Sequence, residues 1–441
     1  MCAGVSDVVQ RRVLSNFKVR PPAGATVGSG KKTSVDARVA VSQTFPDERV
    51  SPPLIVIAAG VCAALHVGKL PPAIGTLQRA LDMSLVQAGF LMSLVQLAGM
   101  ASGIAFGAWA DSIGLRRSVV VGLSILALAS AAGGLASASE VLLVFRAVEG
   151  FGFLLVVLPG PALLRRLVAL RRVNTIIGMW GAYMPLGAAL GLLAGPLWIE
   201  HLGWRSWWWC IAALSAAMAG AVAMAVPASP RAPTPAGVPG WLARLRTTLS
   251  RPGPWLVAMT FAVYSGQWLA VIGFLPTIYL RAGVSAAATG VLTAMAAAAN
   301  IIGNVAAGRL LQQGARPASL IGAGFVTMGA CSVAAFAGGD GGALPAWARY
   351  VAVLGFSMVG GLIPAALFST ALRVAPDERT IATTVGWMQQ WSALGQFAGP
   401  PMVAWVAMRA GDWQWTWVTT GALCLVGLLL TSRLAALSRG T

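Results

Sequence analysis

Charge is scarce in this chain of 441 residues. Asp, Glu, Lys and Arg together make up 10% of it and apolar residues 57%, where a water-soluble domain carries about 25% charged residues. That shortage excludes a conventional soluble fold for most of the sequence. Acidic residues are the rarest charges, 13 against 31 Lys and Arg. Only two histidines occur, His66 and His201. The five cysteines (Cys2, Cys62, Cys210, Cys331, Cys424) show no paired spacing. Four of them lie in apolar stretches, where cysteine acts as a small core residue, so neither a disulfide framework nor a zinc motif is indicated. No G-x-x-x-x-G-K-[ST] loop is present, which argues against direct ATP drive. An enzyme embedded in lipid needs a nucleophile with its base, or a metal cluster. His201 beside Glu200, in a short loop, does not supply one. No metal and no cofactor is expected. Residues 1–50 lack the apolar core of a signal peptide. They are polar and rich in Gly, Pro, Ser and Val, and read as a disordered tail that the rest of the fold does not need; a mis-assigned start is the secondary reading.

What the chain does have is length without charge. Twelve apolar segments run near 54–77, 85–109, 118–136, 141–164, 174–198, 207–226, 255–280, 286–308, 319–337, 350–372, 380–408 and 413–432. Each matches the roughly 20 residues needed to cross a bilayer as a helix. The fold class is therefore an all-α membrane protein of 12 transmembrane helices. With the N-terminus placed inside, 24 of the 31 Lys and Arg fall on the inner side and 5 on the outer. This is the positive-inside pattern, and it places both termini in the cytoplasm. The net charge of +18 thus reports orientation and contact with anionic lipid, not nucleic acid.

The Pro-rich basic stretch 227–254 divides the segments six and six. The domains are read as a tail 1–50, an N-terminal half 51–226, a central loop 227–254, a C-terminal half 255–434 and a tail 435–441. The halves repeat at a shift of about 205 residues: Gly68-Lys69-Leu70-Pro71 aligns with Gly273-Phe274-Leu275-Pro276, Gly150-Phe151 and Pro159 with Gly355-Phe356 and Pro364, and Gly187 and Gly191 with Gly395 and Gly399. Two parallel six-helix halves related by a pseudo-twofold axis place a solute site between them near the midplane.

After the second segment the chain reads Gly107-x3-Asp111-x2-Gly114-x-Arg116-Arg117. Gly114 suits a reversal at positive φ, Asp111 can cap the next helix, and the arginines hold the turn at an anionic leaflet. This loop resembles the signature of the major facilitator superfamily. Arg146-x2-Glu149-Gly150 with Pro159 is similar to that superfamily's fourth-helix pattern, and Gly187-x3-Gly191-x3-Gly195-Pro196 is similar to the glycine–proline motif of its drug–proton antiporters. Leu65-His66-Val67-Gly68-Lys69-Leu70-Pro71-Pro72 more resembles the cyanate and nitroimidazole branch. The resemblance implies a secondary transporter working by alternating access, with the signature loop as a conformational latch. Ser112 stands where a basic residue is usual in that latch.

Four ionisable residues fall inside segments: His66, Lys69, Arg146 and Glu149. A charge at the bilayer centre costs about 2.5–3.5 kcal/mol on insertion scales, so each is a functional candidate. At 1.5 Å per residue Lys69 lies ~22 Å along the first segment, in its outer half. Arg146 and Glu149 lie ~8 and ~12 Å below the outer surface by the same rise. The expectation is two layers, Lys69 with Arg146 and His66 with Glu149. Lys69 and Arg146 then bind the anionic group of a substrate, while Glu149 and His66 carry a coupling proton. The competing reading is structural: Arg146 and Glu149, spaced i, i+3, simply pair, Lys69 snorkels outward, and His66 is a satisfied core residue. Gln267, Gln390 and Trp391 are the further candidates for substrate contact, against a plain role in helix–helix hydrogen bonding. The expected function is proton-coupled uptake of a small organic or inorganic anion, by symport, through a monomer in the cytoplasmic (inner) membrane. Drug–proton antiport is the alternative. The expected partners are the substrate, a proton and the lipid bilayer.

Overall fold

The computed structural model describes residues 51–101, 114–169, 176, 179–228, 241–338, 344–377 and 380–437. Every regular element among the described residues is helical. That follows from the solvent the composition implies, because in lipid each backbone N–H and C=O needs a partner within its own segment.

The first half contains α1 (Ser51–Gly68), a 3₁₀ turn at Pro71–Ala73, α2 (Ile74–Ala80), α3 (Leu85–Ser93), α4 (Leu115–Gly133), α5 (Ser139–Val157), α6 (Gly160–Leu167) and α7 (Tyr183–Ala225). A nine-residue helix α8 (Trp241–Leu249) follows. Then come α9 (Pro252–Arg281), α10 (Ala286–Gln312), α11 (Pro317–Phe336), α12 (Ala346–Gly360), α13 (Leu362–Val374), α14 (Ile381–Ala410) and α15 (Thr416–Leu437). Among the described residues, nine helical stretches are long and apolar enough to cross a membrane. One of them, α7, has 43 residues and is interrupted by Gly203 at φ 79°, ψ 162°. It is thus two helices meeting at a glycine that adopts a left-handed-side φ most residues avoid. Leu85–Ala101 is a shorter apolar helix, and α14 has 30 residues.

Prolines break some segments and not others. The first segment ends its helix at Gly68 and passes through a 3₁₀ turn at Pro71–Ala73, as Pro71-Pro72 predicts. Pro276, aligned with Pro71 in the sequence repeat, makes no such break: α9 runs through it without interruption. Pro159 separates α5 from α6, and the matching fold of the second half separates α12 from α13 at Gly361.

Small residues set the closest contacts. A Cβ on Gly191 would stand 2.5 Å from the Gly68 backbone, and one on Gly187 2.4 Å from Ala64. In the second half a Cβ on Gly399 would stand 2.3 Å from Gly266, and one on Gly395 2.0 Å from Ala262. The glycine-rich stretches therefore let whole backbones touch, which is how small residues assemble helices in lipid. These contacts also correct the repeat. They make Gly68 equivalent to Gly266, not Gly273, so Lys69 corresponds to Gln267. The Gly-x-Leu-Pro match is displaced by two helical turns.

Within the first half α7 packs on α1 and α4, and α4 on α5; within the second α9 packs on α14 and α15, and α11 on α12 and α15. Contacts between halves run mainly through α3 against α14 and α7 against α10.

Candidate functional site: a buried charge cluster in the first half

The break at Pro71-Pro72 leaves the Lys69 carbonyl without its usual intrahelical donor. Trp207 supplies one, its indole N–H donating to Lys69 O at 3.1 Å. This pins Lys69 at the end of α1 and sends its side chain inward. Lys69 is fully buried, as is His66, and Arg146 and Glu149 are 2% and 1% exposed. Lys69 does not snorkel to the surface.

The four residues form one cluster centred on Glu149, not the two layers expected. Lys69 Nζ donates to Glu149 Oε1 at 2.5 Å, and Arg146 Nη1 to Glu149 Oε2 at 2.5 Å. Lys69 Nζ also donates to Ser130 Oγ at 2.7 Å and meets His66 Nδ1 at 3.2 Å. All three ammonium protons thus have acceptors. The ammonium sits 4.9 Å from the Trp208 ring centroid as well, a cation–π distance. Ser215 Oγ donates to Ile211 O, so it accepts from His66 Nε2 at 2.8 Å. A neutral His66 therefore carries its proton on Nε2 and offers Nδ1 to Lys69.

Arg146 is held on two sides. Nε donates to Leu91 O in α3 at 3.0 Å and Nη1 to Glu149. Nη2 is buried and, among the described residues, has no hydrogen-bond partner. The cluster contains two cations and one carboxylate, so with neutral His66 it carries one uncompensated positive charge. A buried charge without a partner is strongly unfavourable. The free edge of a guanidinium is a planar donor suited to a carboxylate or similar oxyanion.

Ser130, Ser215 and Trp208 complete this site and were not anticipated. A serine in an apolar helix usually bonds its own i−4 carbonyl, and Ser215 does so too. Nothing in its sequence context distinguishes it.

The remaining candidates lie apart from the cluster. Gln267 is fully buried; its amide donates to Val263 O at 3.2 Å and its oxygen accepts from Cys424 at 3.3 Å. Gln390 donates to Met100 O at 2.8 Å, across the halves. Trp391 packs with Trp255 and Trp387, centroids 5.7 and 6.0 Å away. Among the described residues, no hydrogen bond or ring contact joins these three to Lys69, Arg146 or Glu149. By the corrected register Lys69 and His66 have neutral counterparts in the second half, Gln267 and Tyr264, the latter accepting at Oη from Asn300 at 2.9 Å.

Of the signature loop, Gly107 and Asp111 lie outside the described residues. Gly114 has φ 93° and precedes α4, as a positive-φ reversal requires. Arg116 donates to Ala223 O, tying the turn to the end of α7, while Arg117 is exposed.

Comparison with known proteins agrees with this architecture. The chain is 15% identical to a bacterial homologue of the human lysosomal transporter Spinster in an inward-facing, occupied conformation, with a TM-score of 0.72 over 88% of this chain and 97% of that one. It is 30% identical over 156 residues to the tetracenomycin C resistance and export protein of Streptomyces glaucescens, covering 35% of this chain and 29% of that protein. It is 25% identical over 252 residues to the cyanate transport protein CynX of Escherichia coli (strain K12), covering 55% of this chain and 62% of that protein. The chain thus spans under two thirds of the length of these curated relatives. The family description "Major Facilitator Superfamily" matches residues 56–400. Together with the helical fold, the paired glycine contacts and the turn at Gly114, that match establishes that the chain belongs to the Major Facilitator Superfamily.

Proposed function

We propose that this transporter-family protein is a secondary active carrier that moves a small organic or inorganic anion by proton-coupled alternating access. In this reading the chain crosses the cytoplasmic membrane twelve times, with both ends inside. The nine long apolar stretches, the division of α7 at Gly203, and the helices Leu85–Ala101 and α14 support that count, and the distribution of Lys and Arg supports the orientation.

One observation carries the substrate class. Among the described residues, a buried cluster of two cations around one carboxylate leaves Arg146 Nη2 without a partner. An anion that takes Nη2 removes the charge excess. Glu149 is the proton carrier: when it is protonated, the two cations it held are free to grip substrate, and when it is ionised it competes with substrate for them. Anion and proton then bind together, which is the requirement of symport. His66, bonded to Lys69, is the second proton-accepting group of the cluster.

The second reading is drug–proton export. Several relatives are named for drug resistance, such as the puromycin resistance protein pur8 of Streptomyces alboniger, and favour it. A cluster with surplus positive charge disfavours cationic drugs. Calorimetric titration of the purified protein with small carboxylates, inorganic oxyanions and lipophilic cations decides between them. The anion reading requires an oxyanion whose binding is lost in Arg146→Gln. Binding of cations alone, unchanged in Arg146→Gln, overturns it.

A further inference from the structure

The second crossing is jointed. It runs as α3 to Ser93, tightens into a 3₁₀ turn at Leu94–Gln96 and resumes as α-helix to Ala101. A 3₁₀ stretch inside a helix marks a hinge or local strain. Ser93 Oγ donates to Gly89 O at 2.7 Å, a back-bond of the kind that bends helices. The backbone of α5 presses on the joint, since a Cβ on Gly150 would stand 2.7 Å from Val95 O. Gly150 follows Glu149, so the joint adjoins the charge cluster. In the orientation proposed above, α3 is the outer part of this crossing, and it carries contacts to the second half. A Cβ on Gly89 would stand 3.0 Å from Pro401 Cα, and the Phe90 ring centroid lies 6.2 Å from that of Phe397. Met92, fully buried, seats its sulfur against Gly273 of α9, where a Cβ would collide with it.

Arg146 reaches the same segment. Its Nε donates to Leu91 O at 3.0 Å, between Phe90 and Met92. In the planar guanidinium, Nε and Nη2 form one edge, and Nη2 is the group without a partner among the described residues. A carboxylate that grips this edge bidentately takes Nε as well, and so displaces Leu91 O. We infer that Arg146 is a latch as well as an anion ligand. While the site is empty, its bond to Leu91 holds α3 against α14 and α9. An anion on the same edge releases α3 at the Leu94–Gln96 joint. The release step rests on the anion reading above; the latch itself does not. Anion and seam compete for one donor, which supplies the differential interaction by which binding shifts a conformational equilibrium.

Spin labels at Val86→Cys in α3 and Ala410→Cys at the end of α14, in the full-length protein stripped of its own cysteines, test this by the distance between them in detergent without substrate. One short distance is expected in this parent. Arg146→Lys keeps the charge beside Glu149, but its compact ammonium lacks the fork that spans Glu149 and Leu91. A longer distance should then appear, with the open-to-closed ratio raised roughly tenfold or more, the effect of one charged hydrogen bond. Lys69→Met leaves the Arg146–Leu91 bond in place and should keep the short distance. Should Arg146→Lys fail to fold, Met92→Ala, which empties the seat on Gly273, should bring out the same longer distance. An unchanged distance in Arg146→Lys or Met92→Ala, or equal lengthening in Lys69→Met, would overturn the proposal. Acetate, nitrate and phosphate are then added to the parent. An anion that binds by calorimetry should lengthen the distance, and binding without lengthening overturns the release step. If none of them binds, the variants alone decide the latch, apart from the anion reading.

Discussion

Glu149 is the residue on which the cluster depends, because among the described residues it is the single carboxylate facing Lys69 and Arg146. Charge counting predicts an order among variants. Glu149→Gln leaves two buried cations with no counter-charge, whereas Lys69→Met leaves a balanced Arg146–Glu149 pair. Breaking a buried pair by removing one partner costs about 3–5 kcal/mol. Glu149→Gln should therefore lower stability by about that much, and Lys69→Met by clearly less, as read by thermal unfolding in detergent without substrate. The reverse order would mean that Lys69's bonds to Ser130 and His66, not charge balance, hold the cluster together. The four ionisable residues were visible in the sequence because a charge in an apolar run stands out. Their meeting point was not. Depth along separate segments places Lys69 near Arg146, but only the fold shows Glu149 between them, and Ser130, Ser215 and Trp208 look like ordinary helix residues.

At the scale of the helix, the glycines decide how closely segments approach. A Cβ on Gly191 meets the backbone of Gly68, which cannot yield as a side-chain tip can, while one on Gly220 meets nothing within 4 Å. Gly191→Ala should destabilise by about 1–3 kcal/mol through overpacking. Gly220→Ala, in the same long helix, should be neutral or stabilise by up to about 1 kcal/mol. Equal midpoints for the two variants would contradict the contact between α7 and α1. The break at Pro71 was legible because proline removes a backbone donor wherever it stands. The failure of Pro276 to act likewise was not, since neighbouring helices can satisfy the carbonyl a proline releases. Helix α8 was hidden by the company it keeps: its leucines sit within a stretch whose prolines and arginines read as loop.

For the whole molecule, twelve apolar segments, a charge asymmetry and one turn motif sufficed to point to the family, because lipid leaves few permitted folds. The register between halves needed the structure, since glycine and proline recur too often for a shift of two turns to be noticed. Alternating access requires the halves to move against each other, and α3 and α14 are among the helices that meet between them. The ideal Cβ of Gly99, in the helix Leu85–Ala101, stands 3.0 Å from Ala393 Cβ in α14, a few tenths of an ångström short of the roughly 3.5–4.5 Å that a disulfide spans between Cβ atoms. In a chain stripped of its own cysteines, Gly99→Cys/Ala393→Cys should crosslink on oxidation, stop transport, and recover on reduction. Full transport by the crosslinked protein would exclude motion at this seam.

The most direct test of the account is flux in reconstituted vesicles. The protein should carry the anion that binds it, driven uphill by an inwardly directed proton gradient. Arg146→Gln should abolish all flux, and Glu149→Gln should abolish proton-driven accumulation while leaving exchange of anion for anion. Proton-driven accumulation persisting in Glu149→Gln, or anion flux persisting in Arg146→Gln, would contradict the claim that this cluster joins substrate to proton.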